Sequence, residues 1–429
     1  MPPALAGVGS PGALESDVPD RPVPDPRAST PLPRYPIAYA AAGRTPTVAA
    51  APVACLLEAG AHRLTVNARM ALAQALRLTG VRAGDEVLLP AWHCPTMVHP
   101  VRWLGAVPRF YRLQADWAPD VEDLVQRLNP ASRAVVAVHF FGHPVALETL
   151  ATVCRQHGLA LIEDCAHALL GGSPQRPVGR TGDYAVASLM KFLPVVDGGC
   201  LVAAPGRALP PLCSPGPVHE ARALVRTLER AVQARPGTAA SAARALLALP
   251  ARLRAWTPAR PPPVSPSTAA AAAVRPTTAA RAGRDACAAD ALDGFWVDKR
   301  MSLASRHLLA GSHWAWQAHQ RRHHHRLLQE DLDGLPGVSL LAPAADSQAV
   351  PYVGALLTDT AEHGDRIDRH LQAHGVPVMR WLDLAIDPVT GPDPDATDRA
   401  RRLLQLPCHQ SLQDADLHRI AHLIRQSLA

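Results

Sequence analysis

Leu159-Ala160-Leu161-Ile162-Glu163-Asp164-Cys165-Ala166-His167 is the stretch on which the fold reading turns. Leu159 to Glu163 form a short apolar run that closes on acids, the pattern of a strand, with a histidine three residues beyond Asp164. Upstream, Leu147 to His157 reads as a helix and Ala134-Val135-Val136-Ala137-Val138-His139 as a continuously apolar strand. Earlier still, Met70 to Leu76 is helical and Glu86-Val87-Leu88-Leu89-Pro90 a strand; downstream, Tyr184 to Ser188 is another. Buried strands alternating with helices specify an α/β architecture, a mostly parallel sheet covered on both faces. In such a sheet, side chains at the carboxyl ends of the strands face the ligand crevice, and Asp164 stands at one such end.

The rhythm divides the chain into four parts. Residues 1–45 are proline-rich, include Pro31-Leu32-Pro33-Arg34-Tyr35-Pro36, and are expected to form a disordered or extended arm. Residues 46–205 form the large domain, and 206–295 an insert rich in alanine, arginine and proline. Residues 296–429 form a smaller α+β domain: a long helix carrying His323-His324-His325, Gly337 to Leu341, Ala373 to Pro377, and a terminal helix from Asp414 to Ser427.

Composition bounds the function. With 429 residues and 48% hydrophobic content, the chain can bury sizeable cores. No apolar run reaches the roughly 18 residues a membrane helix needs, and no signal segment opens the sequence, so the expectation is a cytoplasmic protein without a membrane span. Eight widely spaced cysteines without a CxxC pair argue against a zinc site or a disulfide framework. Consecutive histidines at 323–325 point in different directions on a helix, so they are read as a solvated face, and no metal is expected. Between Glu229 and Asp285 there are nine arginines and no acid, but no aromatic side chains at stacking intervals, so nucleic acid is not an expected partner.

Of 43 basic residues only Lys191 and Lys299 are lysines. Arginine supplies charge as well as lysine but cannot lose its proton to become a nucleophilic amine. Lys191 lies 27 positions beyond Asp164 and after a further strand, so both can reach one crevice from neighbouring strand ends. A lysine able to form a Schiff base, paired with an acid for the pyridinium nitrogen, is the minimal apparatus for pyridoxal 5′-phosphate (PLP).

In order along the chain, Asn67-Ala68-Arg69-Met70-Ala71-Leu72, Gly84-Asp85-Glu86-Val87, Pro90-Ala91-Trp92-His93-Cys94-Pro95, Val138-His139-Phe140-Phe141-Gly142, Asp164/His167, Gly182-Asp183, Ser188, Lys191 and Asp197-Gly198-Gly199 resemble the motifs of the DegT/StrS family of sugar aminotransferases, PLP enzymes of fold type I. Arg300-Met301-Ser302 and Leu406-Pro407-Cys408-His409 continue the resemblance in the small domain. It implies that Lys191 holds the cofactor and moves the substrate proton, and that Asp164 pairs with the ring nitrogen. His167 would contact the O3′ side, while Ser188 and the backbone amides of Ala68 and Arg69 hold the phosphate. It further implies a homodimer acting on small molecules: an amino-acid donor, typically glutamate, and a nucleotide-linked keto-sugar. The alternatives are a sugar dehydratase or other PLP chemistry, and a non-catalytic PLP-binding regulator. Dehydratase relatives carry histidine where Lys191 stands.

Four positions depart from the family pattern. Ala68-Arg69 replaces Gly-Thr, so a hydroxyl is lost and a guanidinium gained, which either grips the phosphate or faces solvent. Ser188 is closer to the lysine than usual. Cys94 stands where relatives place an aromatic against the ring, leaving Trp92 or His93 as substitutes. Asp298 replaces an Asn that reaches the neighbouring subunit's cofactor, and its charge would be repelled by a phosphate.

Overall fold

A computed structural model describes residues 31–36, 53–172, 177–233, 292–343 and 348–429. The expectations for most of the amino-terminal arm and for 234–291 of the insert therefore lie outside the described residues. The large domain runs β1 (Ala61–Thr65), α1 (Ala68–Leu78), β2 (Glu86–Pro90), α2 (Val98–Trp103), β3 (Val107–Tyr111), α3 (Val121–Gln126), β4 (Ser132–Val138), α4 (Glu148–Gln156), β5 (Ala160–Asp164), β6 (Tyr184–Ser188) and β7 (Gly199–Ala203). Its seven-stranded sheet has the order β1-β7-β6-β5-β4-β2-β3. Neighbours from β6 through β3 are parallel, and β7 is antiparallel to both β6 and β1.

The apolar runs are continuous because both faces are covered. Val87, Leu89, Val136 and Ile162 enter one core, whereas Leu88, Val135, Ala137 and Leu161 enter another on the opposite face. Helix α1 contains no β-branched residue, and Asn67 caps it by accepting from the Met70 amide at 3.2 Å. It buries every residue from Met70 to Leu76.

The carboxyl-terminal part contains α5 (Pro217–Gln233), α6 (Leu303–Ala310), α7 (Trp314–Leu332), β8 (Val338–Leu340), β9 (Val353–Thr358), α8 (Ala361–Ala373), α9 (Pro394–Arg402), β10 (Leu403–Pro407) and α10 (Asp414–Leu428). Its three-stranded antiparallel sheet, β10-β9-β8, packs with α7, α8 and α10 around Leu328, Leu356, Ile367, Leu371, Ile420 and Ile424.

The histidine cluster departs from the expected solvated face. His324 and His325 are only 0% and 3% exposed, because α7 is covered by β8 and β9 on one side and α10 on another. The rings do diverge: His324 Nδ1 faces the His409 carbonyl at 3.2 Å and His325 Nε2 the Leu341 carbonyl at 3.1 Å, while half-buried His323 meets Asp414 at 3.0 Å. Burial lowers the His325 pKa to about 4, keeping it neutral.

A buried ion cluster joins the two parts. Arg109 on β3 reaches Glu86 and Asp387, both at 3.1 Å. Asp387 also accepts from the amides of Phe110 (2.9 Å), Val389 (2.8 Å) and Thr390 (2.9 Å). Burial works to raise its pKa, but the amides and Arg109 outweigh it and hold the carboxyl below the usual range. A depressed carboxylate pKa contributes stability above its unfolded value, lost as pH falls through the folded value. Asp387→Asn is therefore expected to destabilise the protein by about 2–4 kcal/mol at neutral pH. Urea titrations from neutral to acid pH should show the difference from wild type shrinking at the acid end.

Candidate active site

The strand directions bring the sequence-predicted residues to one edge of the large sheet. Asp164 ends β5 and Ser188 ends β6, both at carboxyl ends. Strand β7 runs the other way, so its first residue, Gly199, lies at the same edge, paired with Ser188 on one side and Thr65 on the other. Helix α1 leaves β1 there. A Cβ on Gly199 would lie 2.2 Å from the Asn67 carbonyl carbon and 2.5 Å from the Ala68 nitrogen. The bare glycine thus lets β7 touch the start of α1, and Ser188 comes to neighbour the Asn67–Arg69 turn. Side chains on opposite sides of a 120-residue separation meet here because of an antiparallel insertion that strand patterning alone does not reveal.

Asp164 and His167 form the floor, 7% and 2% exposed. Asp164 Oδ1 accepts from the Ala166 amide at 2.8 Å. Burial raises the Asp164 pKa, opposed by the positive charge of Lys191 nearby. The His167 ring accepts at Nδ1 from the Phe141 amide at 3.3 Å, which leaves the proton on Nε2. One face of that ring stacks on Tyr352, with centroids 4.5 Å apart. Burial, and then Lys191, hold His167 well below its ordinary pKa, so it is a neutral imidazole. Lys191 ends a 3-10 turn after β6, with its Nζ 5.3 Å from the centre of the Tyr352 ring. Asp164, His167 and Lys191 are therefore brought together.

Lys191, Ser188, Ala68, Arg69 and Cys94 are all half-buried, less covered than that floor. Cys94 Sγ lies 3.2 Å from the Thr96 hydroxyl. Its proposed substitutes, Trp92 and His93, are more deeply buried. Trp92 is 1% exposed and stacks on Trp381 at 4.5 Å inside an aromatic cluster. His93 is fully buried, stacks on Phe110, and accepts at Nε2 from the Ala385 amide at 3.2 Å. Asp298 pairs with Arg77 of α1 on the surface.

Two contributions were not foreseen from the sequence. Residues 31–36 run along the small domain, with Leu32 donating its amide to the Gly375 carbonyl at 2.9 Å and His409 Nε2 facing the Pro33 carbonyl at 2.8 Å. Exposed Arg34 thereby lines, with Lys191, Tyr352 and His409, a cavity of about 10 Å³ on the small-domain side of the lysine, room for about one water. Tyr352, at the entry to β9, is the second. The run Pro31 to Pro36 was the only sequence signal for the first, and nothing local marks Tyr352.

His139, Glu163 and Cys165 also converge, their ligand atoms lying within 4.8 Å of one another. Glu163 accepts from His139 Nε2 (3.0 Å) and from the amides of Thr181 (2.6 Å), Gly182 (2.6 Å) and Gly179 (3.1 Å), while His139 Nδ1 accepts from the Val145 amide (3.1 Å). With those lone pairs engaged and the Cys165 thiol driven upward by burial, the trio is a structural support behind Asp164.

The chemistry of this donor set fits PLP. A primary amine stands beside a buried acid for the ring nitrogen, and a hydroxyl stands beside a helix amino terminus for the phosphate. Gly199→Ala tests the cradle. Because the new methyl would strike backbone, it should cost about 3 kcal/mol in urea unfolding, against a few tenths for an exposed, unstrained site.

Residues 54–208 match the model of the DegT/DnrJ/EryC1/StrS aminotransferase family. The chain is 34% identical over 145 residues to GDP-perosamine synthase from Vibrio cholerae, covering 33% of this chain and 40% of that one. It is 37% identical over 134 residues to L-glutamine:scyllo-inosose aminotransferase from Streptomyces griseus, covering 30% of this chain and 32% of that one. These matches thus span well under half the length of either relative. The fold extends further. The aminotransferase TlmJ from Streptoalloteichus hindustanus superposes with TM-score 0.57 at 21% identity, over 86% of this chain and 85% of its own. The PLP form of the putative sugar aminotransferase Spr1654 from Streptococcus pneumoniae gives 0.58 at 16%, over 85% and 86%. These likenesses establish the fold as that of fold type I aminotransferases. Over residues 54–208, about a third of its length, this chain is thus similar to the DegT/DnrJ/EryC1/StrS aminotransferase family.

Proposed function

We propose that the protein is a PLP-dependent aminotransferase that moves an amino group from an amino acid, glutamate in the first instance, to a keto-sugar carried on a nucleotide. The observation that carries this reading is the meeting of Lys191 with buried Asp164 and neutral His167 at one sheet edge. Every proposed site residue also lies inside the segment that matches the family. The likeness to GDP-perosamine synthase, whose name carries a nucleotide-linked amino sugar, supports the acceptor class.

PLP, when bound, supplies an aldehyde for amine exchange and a ring that accepts electrons from the substrate Cα. Asp164 would hold a proton at the ring nitrogen. Its burial strengthens that charge-assisted hydrogen bond, because little water competes for the carboxylate. Lys191 would anchor the cofactor and, once its amine is released, take the proton from Cα and return it on the other side of the exchange. His167, fixed with its proton on Nε2, presents a hydrogen-bond donor without a charge. Ser188 and the Ala68 and Arg69 amides would orient the phosphate, aided by the positive end of α1. The aromatic cluster of Trp92, Trp117, Phe140, Phe141 and Trp381 lies behind the floor and keeps water from it.

Purified protein incubated with PLP should gain a visible absorbance that borohydride abolishes, and peptide mass spectrometry should find the reduced cofactor on Lys191. Glutamate should convert the bound cofactor to its pyridoxamine form, and product masses from a panel of nucleotide keto-sugars should identify the acceptor. Lys191→Arg should lower turnover by about 10⁴-fold while leaving the fold intact. Cofactor found on Lys299, or none bound, would refute the site; bound cofactor unresponsive to any amino acid would refute transamination.

A further inference from the structure

Arg321 on α7 is 0% exposed, and among the described residues no carboxylate pairs with it. Arg109, also buried, behaves differently: it is met by both Glu86 and Asp387. Arg321 instead gives its protons to backbone. One terminal nitrogen donates to the carbonyls of Tyr352 (3.0 Å) and Pro351 (3.3 Å), the other to the carbonyl of Lys191 (2.8 Å). Its Nε has no partner, and the guanidinium lies 4.5 Å from the centre of the Phe192 ring. Burial lowers its pKa to about 10.

An uncompensated buried cation is costly, and an apolar side chain of similar volume would hold the same space at least as well. The charge itself therefore calls for an explanation, and its position supplies one. Arg321 grips the turn that carries Lys191 and also the backbone of Tyr352, whose ring faces the lysine amine. A nearby cation disfavours the ammonium and so favours the neutral, nucleophilic amine. Among the described residues, groups facing Lys191 from its other sides include Asp164 from β5, His167 beyond it, Tyr352 at the start of β9, Arg34 from residues 31–36, and His409 after β10. His167 and His409 are held neutral by burial, with the His409 pKa lowered to about 3, and burial holds Tyr352 protonated. Asp164 draws the amine toward its charged form, with Arg321 and Arg34 opposing it.

We propose that Arg321 is a positioning residue for Lys191: it fixes the lysine-bearing turn through the Lys191 carbonyl, and its unpaired charge offsets Asp164 to keep the amine available as a nucleophile. The proposal rests on the reading of Lys191 as the reacting amine, but its test does not require turnover or cofactor. The chain has two lysines, so pulse acetylation of the full-length protein freed of PLP, read by peptide mass spectrometry across pH, follows Lys191 with Lys299 as internal reference.

In Arg321→Gln, which keeps a donor but removes the charge, the Lys191 acetylation midpoint should rise by about one pH unit while that of Lys299 stays put. Arg321→Lys, which keeps the charge but loses the fork, should remain within a few tenths of a unit of wild type and should acetylate Lys191 faster, because the turn is less firmly held. Arg321→Met serves if the glutamine variant does not fold, with the same expected rise. A Lys191 midpoint unmoved by loss of the charge, in a variant whose melting temperature has changed, overturns the proposal and leaves Arg321 as packing alone. Cofactor failing to attach to Lys191 while the midpoint still moves would sink the aminotransferase reading and leave this one standing.

Discussion

The contact between Gly199 and the Asn67–Ala68 peptide is the constraint on which the site depends. It exists only because β7 enters the sheet antiparallel and begins with a residue that has no side chain. From it follow the position of the α1 amino terminus, the place of Ser188 beside that terminus, and the fact that residues far apart in the chain share one sheet edge. A single methyl group there would push apart the two elements that frame the proposed phosphate site.

Charge is treated differently at the site and away from it. Away from the site, these buried ions are well partnered: Arg109 meets both Glu86 and Asp387, and Glu163 accepts from His139 and three backbone amides. At the site compensation is incomplete. Burial raises the Asp164 pKa, His167 is held neutral, and among the described residues Arg321 lacks a carboxylate partner. Such imbalance costs stability and is found where pKa values are tuned for chemistry. The compensated support behind Asp164 allows the uncompensated groups in front of it to be held in place.

Much of this was legible in the sequence. Strands β2 and β6 lie where the apolar runs end, and Asp164 stands at a strand terminus because an acid closing an apolar run has only the sheet edge on which to stay near solvent or a ligand. Lys191 stood out because arginine replaces lysine almost everywhere else. The errors share a cause. His324 and His325 were assigned to solvent because local pattern does not say how many elements will cover a helix, and α7 is covered on more than one side. Trp92 and His93 were offered to a ligand, yet both are drawn into packing by Trp381, Phe110 and Ala385, which lie far along the chain.

The sequence by itself determined the alternation of buried strands and helices, and it marked Lys191 and Asp164 as the candidate amine and acid, since these depend on residue type and short-range periodicity. Only the tertiary structure decided that Lys191 faces Asp164, His167 and Tyr352 together, that Arg34 reaches the same place, and that Arg321 grips the lysine's backbone with no acid among the described residues to balance it. Those relations depend on how α7, β9 and residues 31–36 pack against the end of β6. They are set by long-range burial and hydrogen bonding, which leave no periodic trace in the chain.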